Sequence, residues 1–420
     1  MTLLLKLLDP AVWEQFYEYK TTLACPKSFA KELRAFIDAR GYIAPAEAIL
    51  RGDPFPLPEK SVISKSGSQK KRTVYTYPPA ENTVLKLLTH LLLRRYDHLF
   101  DPCLYSFRPG RSAKTAVLAL ARTPGIRNSF SYKADISNYF NSIPIEKLLP
   151  LLEVAAAGDP ELFRFLRSLL EEPRVIDHGQ VITEEKGIMA GTPQASFYAN
   201  LYLKDLDRRF SGSCVFYARY SDDIILFTPT EEERDACAEA IRGELASRGL
   251  SLNPDKVHLG SPGDGWTFLG FTGGCPGVDS GRDEIDIAPA TVKKLKAKMR
   301  RKARALRRWC ERNDIDSRRA AAAFIRIFNR KLLESSGDNE LSWSMWFFPV
   351  ITTAESLREI DRYAQDCLRF LLSGTRTKAR YSTGYEDLKA LGYRSLVNAY
   401  YRGRRAEADL SGLHPGMFTE

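Results

Sequence analysis

The sequence lacks the spacings that build zinc sites or disulfide frameworks. Its seven cysteines, Cys25, Cys103, Cys214, Cys237, Cys275, Cys310 and Cys367, stand singly. No C-x-x-C pair occurs among them, so they read as reduced thiols. No stretch approaches the ~20 apolar residues of a membrane span. The opening MTLLLKLL is too short for a secretory apolar region and runs into the acidic, aromatic AVWEQFYEYK. An ordinary N-terminal helix is expected there, in a cytoplasmic chain with no membrane partner. Internal repeats and long low-complexity tails are also absent, which excludes solenoids and disordered arms.

What is present is a globular composition with a basic bias. Hydrophobic residues make up 44% of 420 positions, enough for two or three subdomains. The formal charge is +10, with a pI near 9.1; this suits a polyanionic partner, although a solvated basic face gives the same balance. Residues 1 to about 50 read as helical, and the prolines of RGDPFPLPEK (51–60) predict a boundary. SVISKSGSQKKRTVYTYPP predicts a hairpin in a basic finger. From 131 to 275, strand-like runs (SYKADIS, CVFYARY, DDIILF, WTFLGF) alternate with helical stretches, an α+β pattern. TVKKLKAKMRRKARALRRW (291–309) then holds ten Lys and Arg among spaced apolar residues, and the remainder reads as helical.

One stretch poses an electrostatic problem. In YARYSDDIILF, Asp222 and Asp223 precede an apolar run with the composition of a buried strand. Two like charges beside so much apolar surface are expensive unless neutralised. A solvent-exposed hairpin tip is one resolution. The other is a metal site: Asp135, in KADISNYFNSI, is offered from a second strand end. Carboxylates on neighbouring strands can hold two Mg²⁺ ions ~3.5–4 Å apart, the arrangement used in phosphoryl transfer.

KADISNYFNSI, GTPQASFYANLYL, YSDD, GLSLNPDK and WTFLGF occur in this order and together resemble the successive palm motifs of reverse transcriptases. Upstream, KKRTVYTYPP and SFRPGRSAKTAV resemble the finger motifs of the bacterial branch, which includes group II intron, retron and defence-associated enzymes. The resemblance runs from about 70 to about 300. It implies a right-hand polymerase: an N-terminal helical segment (1–54), fingers and palm (55–275), a basic helical thumb (285–345) and a C-terminal helical extension (346–420). Within 55–275, fingers are expected at about 55–130 and 145–190, with the palm around 131–144 and 191–275.

The resemblance also implies roles. Asp135, Asp222 and Asp223 would be catalytic and ligate two Mg²⁺ ions, with Mn²⁺ as a substitute and Ile136 lending its backbone carbonyl. The primer 3′-hydroxyl would attack the α-phosphate of a deoxynucleotide triphosphate. Phe140 matches the aromatic beneath the sugar that excludes a 2′-hydroxyl; the alternative is core packing with Tyr139 toward solvent. Gln194 would contact nucleotide or template, and Ala195 after it departs from the glycine usual in the intron branch. Lys256 matches the lysine proposed to protonate pyrophosphate, with a salt-bridged surface lysine as the alternative. Lys71, Arg72, Arg108 and Arg111 are the finger cations expected to bind the triphosphate, or else a phosphate backbone or solvent. WTFLGF resembles the primer grip, with a tight turn at Gly270, although Trp266 and Phe268 fit a core as well. The basic helix would track a duplex by phosphate contacts.

Retained aspartates favour an RNA-directed DNA polymerase over a non-catalytic RNA-binding scaffold, and Phe140 disfavours an RNA polymerase. No nuclease, integrase-like or maturase-style region, and no retron thumb signature, follows the thumb. The extension, with LSWSMWFFPV and LGYRSLVNAYYRGRR, resembles stand-alone bacterial reverse transcriptases grouped with antiphage defence. The expected partners are a structured non-coding RNA template, a DNA primer or product and deoxynucleotide triphosphates. Tyr400, Tyr401, Arg402, Arg404 and Arg405 would bind RNA or pack against the thumb.

Overall fold

A computed structural model describes residues 2–23, 25–64, 71–184, 187–274, 284–334 and 342–411. Cys275 and the Gly/Ser turn of the basic finger, 65–70, lie outside them. The chain divides into two compact units, 1–269 and 270–420.

In the first unit, β1 (Glu59–Ser64) and β2 (Lys71–Thr76) form the antiparallel finger hairpin, from Glu59↔Thr76 to Ser64↔Lys71. β3 (Phe130–Asp135) belongs to a second sheet. β4 (Arg174–Asp177) and β5 (Gln180–Thr183) make a hairpin that the sequence reading did not anticipate, and β4 joins β1 to give the order β2-β1-β4-β5. The second sheet is completed by β6 (Phe216–Tyr220), β7 (Asp223–Thr228) and β8 (His258–Gly260) in the order β6-β7-β3-β8. β7 and β3 are its central strands. Ile224 to Phe227 are therefore buried in both directions, as a strand covered on both faces requires. β9 (Trp266–Phe268) closes the unit, and burial of Trp266 and Phe268 realises the core alternative for both.

The N-terminal helices do not form a separate body. Leu3, Leu7, Trp13, Leu33 and Ile37 share one core with Val84 and Leu88 of helix Pro79–Arg95. Gly52, at φ +75°, ends helix Ile43–Arg51, and the prolines prevent its continuation. They stop a helix without isolating it, because its apolar stripe is buried only against this core.

In the second unit, β10 (Phe271–Gly273) pairs with β11 (Ile285–Ile287). The basic helix runs Pro289–Asn313 and buries Val292, Met299, Ala303 and Cys310 as a narrow seam. Lys296 and Arg307 are half-buried and pair with Glu359 and Glu311. Its other basic residues between 293 and 308 are exposed. Helices Ser317–Leu332 and Glu355–Ser373 pack beside it. Tyr400 is buried and its hydroxyl donates to the Ile351 carbonyl at 2.9 Å, with Arg404 bonded to the same oxygen. Of its two sequence readings Tyr400 therefore takes packing and is not free to stack a base. Tyr401, Arg402, Arg404 and Arg405 are exposed.

Candidate active site

The register of the second sheet sets Asp135 directly opposite Asp223, at the paired ends of β3 and β7. Tyr220↔Asp223 closes the β6–β7 hairpin, leaving Ser221 and Asp222 as a two-residue loop. Ser221 has φ +60°, a region that favours glycine at such a position. The loop is held from three sides. Its Ser221 N–H donates to Ser106 Oγ at 2.9 Å, Arg219 Nη1 donates to the Ser221 carbonyl at 3.1 Å, and the Ile136 N–H donates to the Asp222 carbonyl at 3.0 Å. The last bond fixes Asp222 to the residue that follows Asp135. Beyond it, Asn253 N–H donates to the Asp135 carbonyl and Ser137 N–H to the Ser251 carbonyl. Both bonds leave the Ile136 carbonyl out.

The electrostatics follow from this convergence. Burial, together with the neighbouring Asp135 charge, raises the Asp222 carboxyl above its ordinary pKa. Burial and the Asp222 charge push Asp223 up to about 6, with Lys133 opposing. Burial lowers the Lys133 ammonium in turn. Burial also works against the Lys256 charge, but its hydrogen bond to Asp135 Oδ1 at 2.5 Å and the three aspartate charges outweigh it and raise its pKa. Lys256 is thus salt-bridged, and because its partner is the first aspartate of the site the pairing fits either of its two sequence readings. Among the described residues, no three His, Cys, Asp or Glu side chains are already arranged around one metal position.

Sequence reasoning missed the support behind the loop. Arg219 and Asp207 are fully buried and joined by two bonds, Nε to Oδ1 at 2.7 Å and Nη2 to Oδ2 at 2.6 Å; the Tyr217 hydroxyl also donates to Asp207 Oδ1, at 3.1 Å. A signal was present: Tyr217 and Arg219 are two apart on one face of an apolar strand, and an inward arginine requires a partner.

The remaining candidates separate. Tyr139 is buried, its hydroxyl donating to the Ala199 carbonyl at 2.6 Å, and Phe140 is half-buried beside it. This reverses the alternative that sent Tyr139 to solvent. Gln194 is buried against Tyr77, whose phenol burial raises to about 12, and lines a cavity of about 50 Å³ with Glu184 and Tyr198. Its Oε1 has no partner among the described residues. The turn before it is tight: a Cβ on Gly187 would stand 2.2 Å from the Ile143 carbonyl, and Gly191, at φ +103°, lies against Tyr75 of β2.

Arg108 requires a correction. It is buried, forked onto Asp97 at 2.7 and 3.1 Å, and donates to the Asp101 and Leu104 carbonyls. Its donors already hold the SFRPGR turn, so it is not a triphosphate cation. Arg111 donates to the Pro102 carbonyl at 2.6 Å and stacks over Tyr105. Lys71 and Arg72, at the start of β2, are exposed.

Residues 63–273 match the family model described as reverse transcriptase (RNA-dependent DNA polymerase). A Schizosaccharomyces pombe protein, described as an uncharacterized 91 kDa protein in the cob intron, is 29% identical over 154 residues. That alignment covers 36% of this chain and 18% of the relative, so the chain spans less than a fifth of the curated protein it matches. Among solved structures, telomerase from Candida albicans in complex with a fragment of telomeric RNA matches at 11% identity and a TM-score of 0.44, covering 83% of this chain and 67% of that one. Apo telomerase from Candida tropicalis matches at 11% identity and 0.48, covering 81% and 60%. With the family's model matched over half its length and the motif aspartates meeting across one strand pair, this chain belongs to the reverse transcriptase family.

Proposed function

We propose that the chain is an RNA-directed DNA polymerase that extends a primer on an RNA template with deoxynucleotides. The observation that carries this reading is the Asp135–Asp223 strand pair with Asp222 bonded to its flank. The donor set fits hard divalent cations, because it supplies three carboxylates and a backbone carbonyl, and two of the acids are destabilised as anions until a cation arrives. Asp135, Asp222, Asp223 and the Ile136 carbonyl would hold Mg²⁺, or Mn²⁺ in its place. Bound there, the metal supplies Lewis-acid activation of the primer hydroxyl and neutralisation of the triphosphate.

The chain's own residues do the positioning. Lys256 shields Asp135 in the free protein and stands close enough to the acids to donate a proton to departing pyrophosphate. Phe140, backed by Tyr139, restricts the space for a 2′-hydroxyl. Exposed Lys71 and Arg72, with Arg111, attract the triphosphate, and the exposed basic face of helix Pro289–Asn313 tracks the duplex. In this reading the second unit is the thumb and extension, and the two sheets of the first are fingers and palm. Resemblance of the extension to stand-alone bacterial enzymes supports a dedicated non-coding RNA as template and a role in antiphage defence. The similarity to a cob-intron protein favours, as second reading, an intron-type enzyme.

Primer extension on a defined RNA template tests the proposal. Mg²⁺-dependent DNA synthesis that disappears in the folded Asp222→Ala, Asp223→Ala double variant supports it. Synthesis at the wild-type rate by that variant refutes it. Phe140→Ala is expected to raise ribonucleotide use relative to deoxynucleotides, read as a ratio of kcat/KM values.

A further inference from the structure

The first unit carries a second concentration of charge, lined by none of the candidate active-site residues. Helices Pro10–Thr22 and Pro79–Arg95 meet through rings: the His90 centroid lies 5.1 Å from Phe16 and 4.5 Å from Tyr19. With the short 3-10 helix Leu3–Leu8 they line an open recess of about 510 Å³, within the range of ligand-binding clefts. Lys6, Arg94 and Arg95 line it, together with Tyr19 and His90, and no carboxylate does. Among the described residues none of Lys6, Lys20, Arg94 and Arg95 is ion-paired, whereas Arg34 on an adjacent helix is clamped by Glu14 and Asp38.

Arg94 is held in place although the neighbouring cations repel it. Arg94 stacks 4.4 Å over Tyr19 and its Nη1 donates to His90 Nδ1 at 2.8 Å. A guanidinium has no acceptor, so His90 is neutral with its hydrogen on Nε2. Burial, then Arg94 and Lys20, push its pKa down to about 3. Burial, then Lys86 and Arg94, lower Lys20. A stacked arginine, exposed Arg95 and Lys6, a neutral imidazole N–H and no lining carboxylate make a receptor for phosphate oxygens.

We propose that this recess binds a single-stranded phosphodiester segment, and that the strand is RNA. Assignment to RNA rests on the function proposed above; recognition of phosphate does not. The test uses the full chain with its polymerase cleft saturated by a chain-terminated RNA–DNA hybrid, titrated with a labelled, unstructured RNA 12-mer. Replacing Lys6, Arg94 and Arg95 by alanine should weaken binding by about tenfold at 0.1 M salt. It should also flatten the logarithmic salt dependence by about 2, from three lost contacts at ~0.7 each. Turnover on saturating hybrid should stay unchanged.

Unchanged affinity and slope would overturn the proposal. Because the triple variant removes groups that help order two helices, the wild-type protein is also crosslinked to 4-thiouridine RNA under the same conditions. Adducts within 3–22 and 79–95 support the site, and adducts confined to other segments overturn it. Adducts in these segments with a 4-thiothymidine DNA strand and none with the RNA overturn the assignment to RNA. A protein that extends primers but gives no adducts here loses this inference alone.

Discussion

Two hairpins of the first unit end in two-residue loops, and they are built for opposite ends. His178 and Gly179, between β4 and β5, have φ of +49° and +81°, and the His178 side chain is almost wholly exposed. Ser221 and Asp222, between β6 and β7, also contain a left-handed residue, but the loop is bonded to Ser106, Arg219 and Ile136 and sets two carboxyls among a third acid and buried apolar strands. Solvent relieves the first loop. The second is kept under electrostatic stress by the surrounding structure, as expected where a fold trades stability for a site.

The largest way to break the contrast is to remove what holds the second loop. Arg219→Ala or Asp207→Ala leaves a buried charge without its partner and should destabilise the protein by about 3–5 kcal/mol, read by urea denaturation. Arg219→Ala also loses the bond to the Ser221 carbonyl, so activity in any folded fraction should fall.

Next in size is relief of the stress itself. Asp223 titrates near 6 when folded, above its ordinary value, and Asp222 is raised too. The folded state therefore holds protons that the unfolded chain has released, and stability is lost as pH rises through about 6. Asp222→Asn with Asp223→Asn should stabilise the metal-free protein by about 1–3 kcal/mol at pH 8, with the gain vanishing below about pH 4. Thermal melts at both pH values measure it. The smallest effect belongs to the first hairpin: His178→Asn should change stability by less than about 0.5 kcal/mol.

The same contrast shows what was legible in the sequence. An apolar run following two aspartates, with a third aspartate ending another strand-like run, raised the question of like-charge repulsion but left an exposed hairpin tip open; the ordered motifs that resemble reverse transcriptases were what grouped Asp135, Asp222 and Asp223. Partner choice is not local. FRPGR reads as a phosphate loop, yet Asp97, eleven residues upstream, takes the Arg108 fork, and no spacing announces it. Gln194 sits in a motif loop, but Gly191 turns that loop against β2 and the side chain is buried at Tyr77. The 174–183 hairpin was missed because RVIDHGQVIT has short strands and a His-Gly turn in place of the usual Asn-Gly signal. The N-terminal helices were assigned to a separate segment because prolines mark helix ends, not the surface against which a helix is buried.

The most direct measurement is the linkage between Mg²⁺ and stability at pH 8. If the stressed acidic loop exists to receive divalent cations, Mg²⁺ at 100 times its dissociation constant should stabilise the wild-type protein by about 2.7 kcal/mol. It should leave the Asp222→Asn, Asp223→Asn protein unmoved. Equal stabilisation of both proteins, or of neither, would contradict the account.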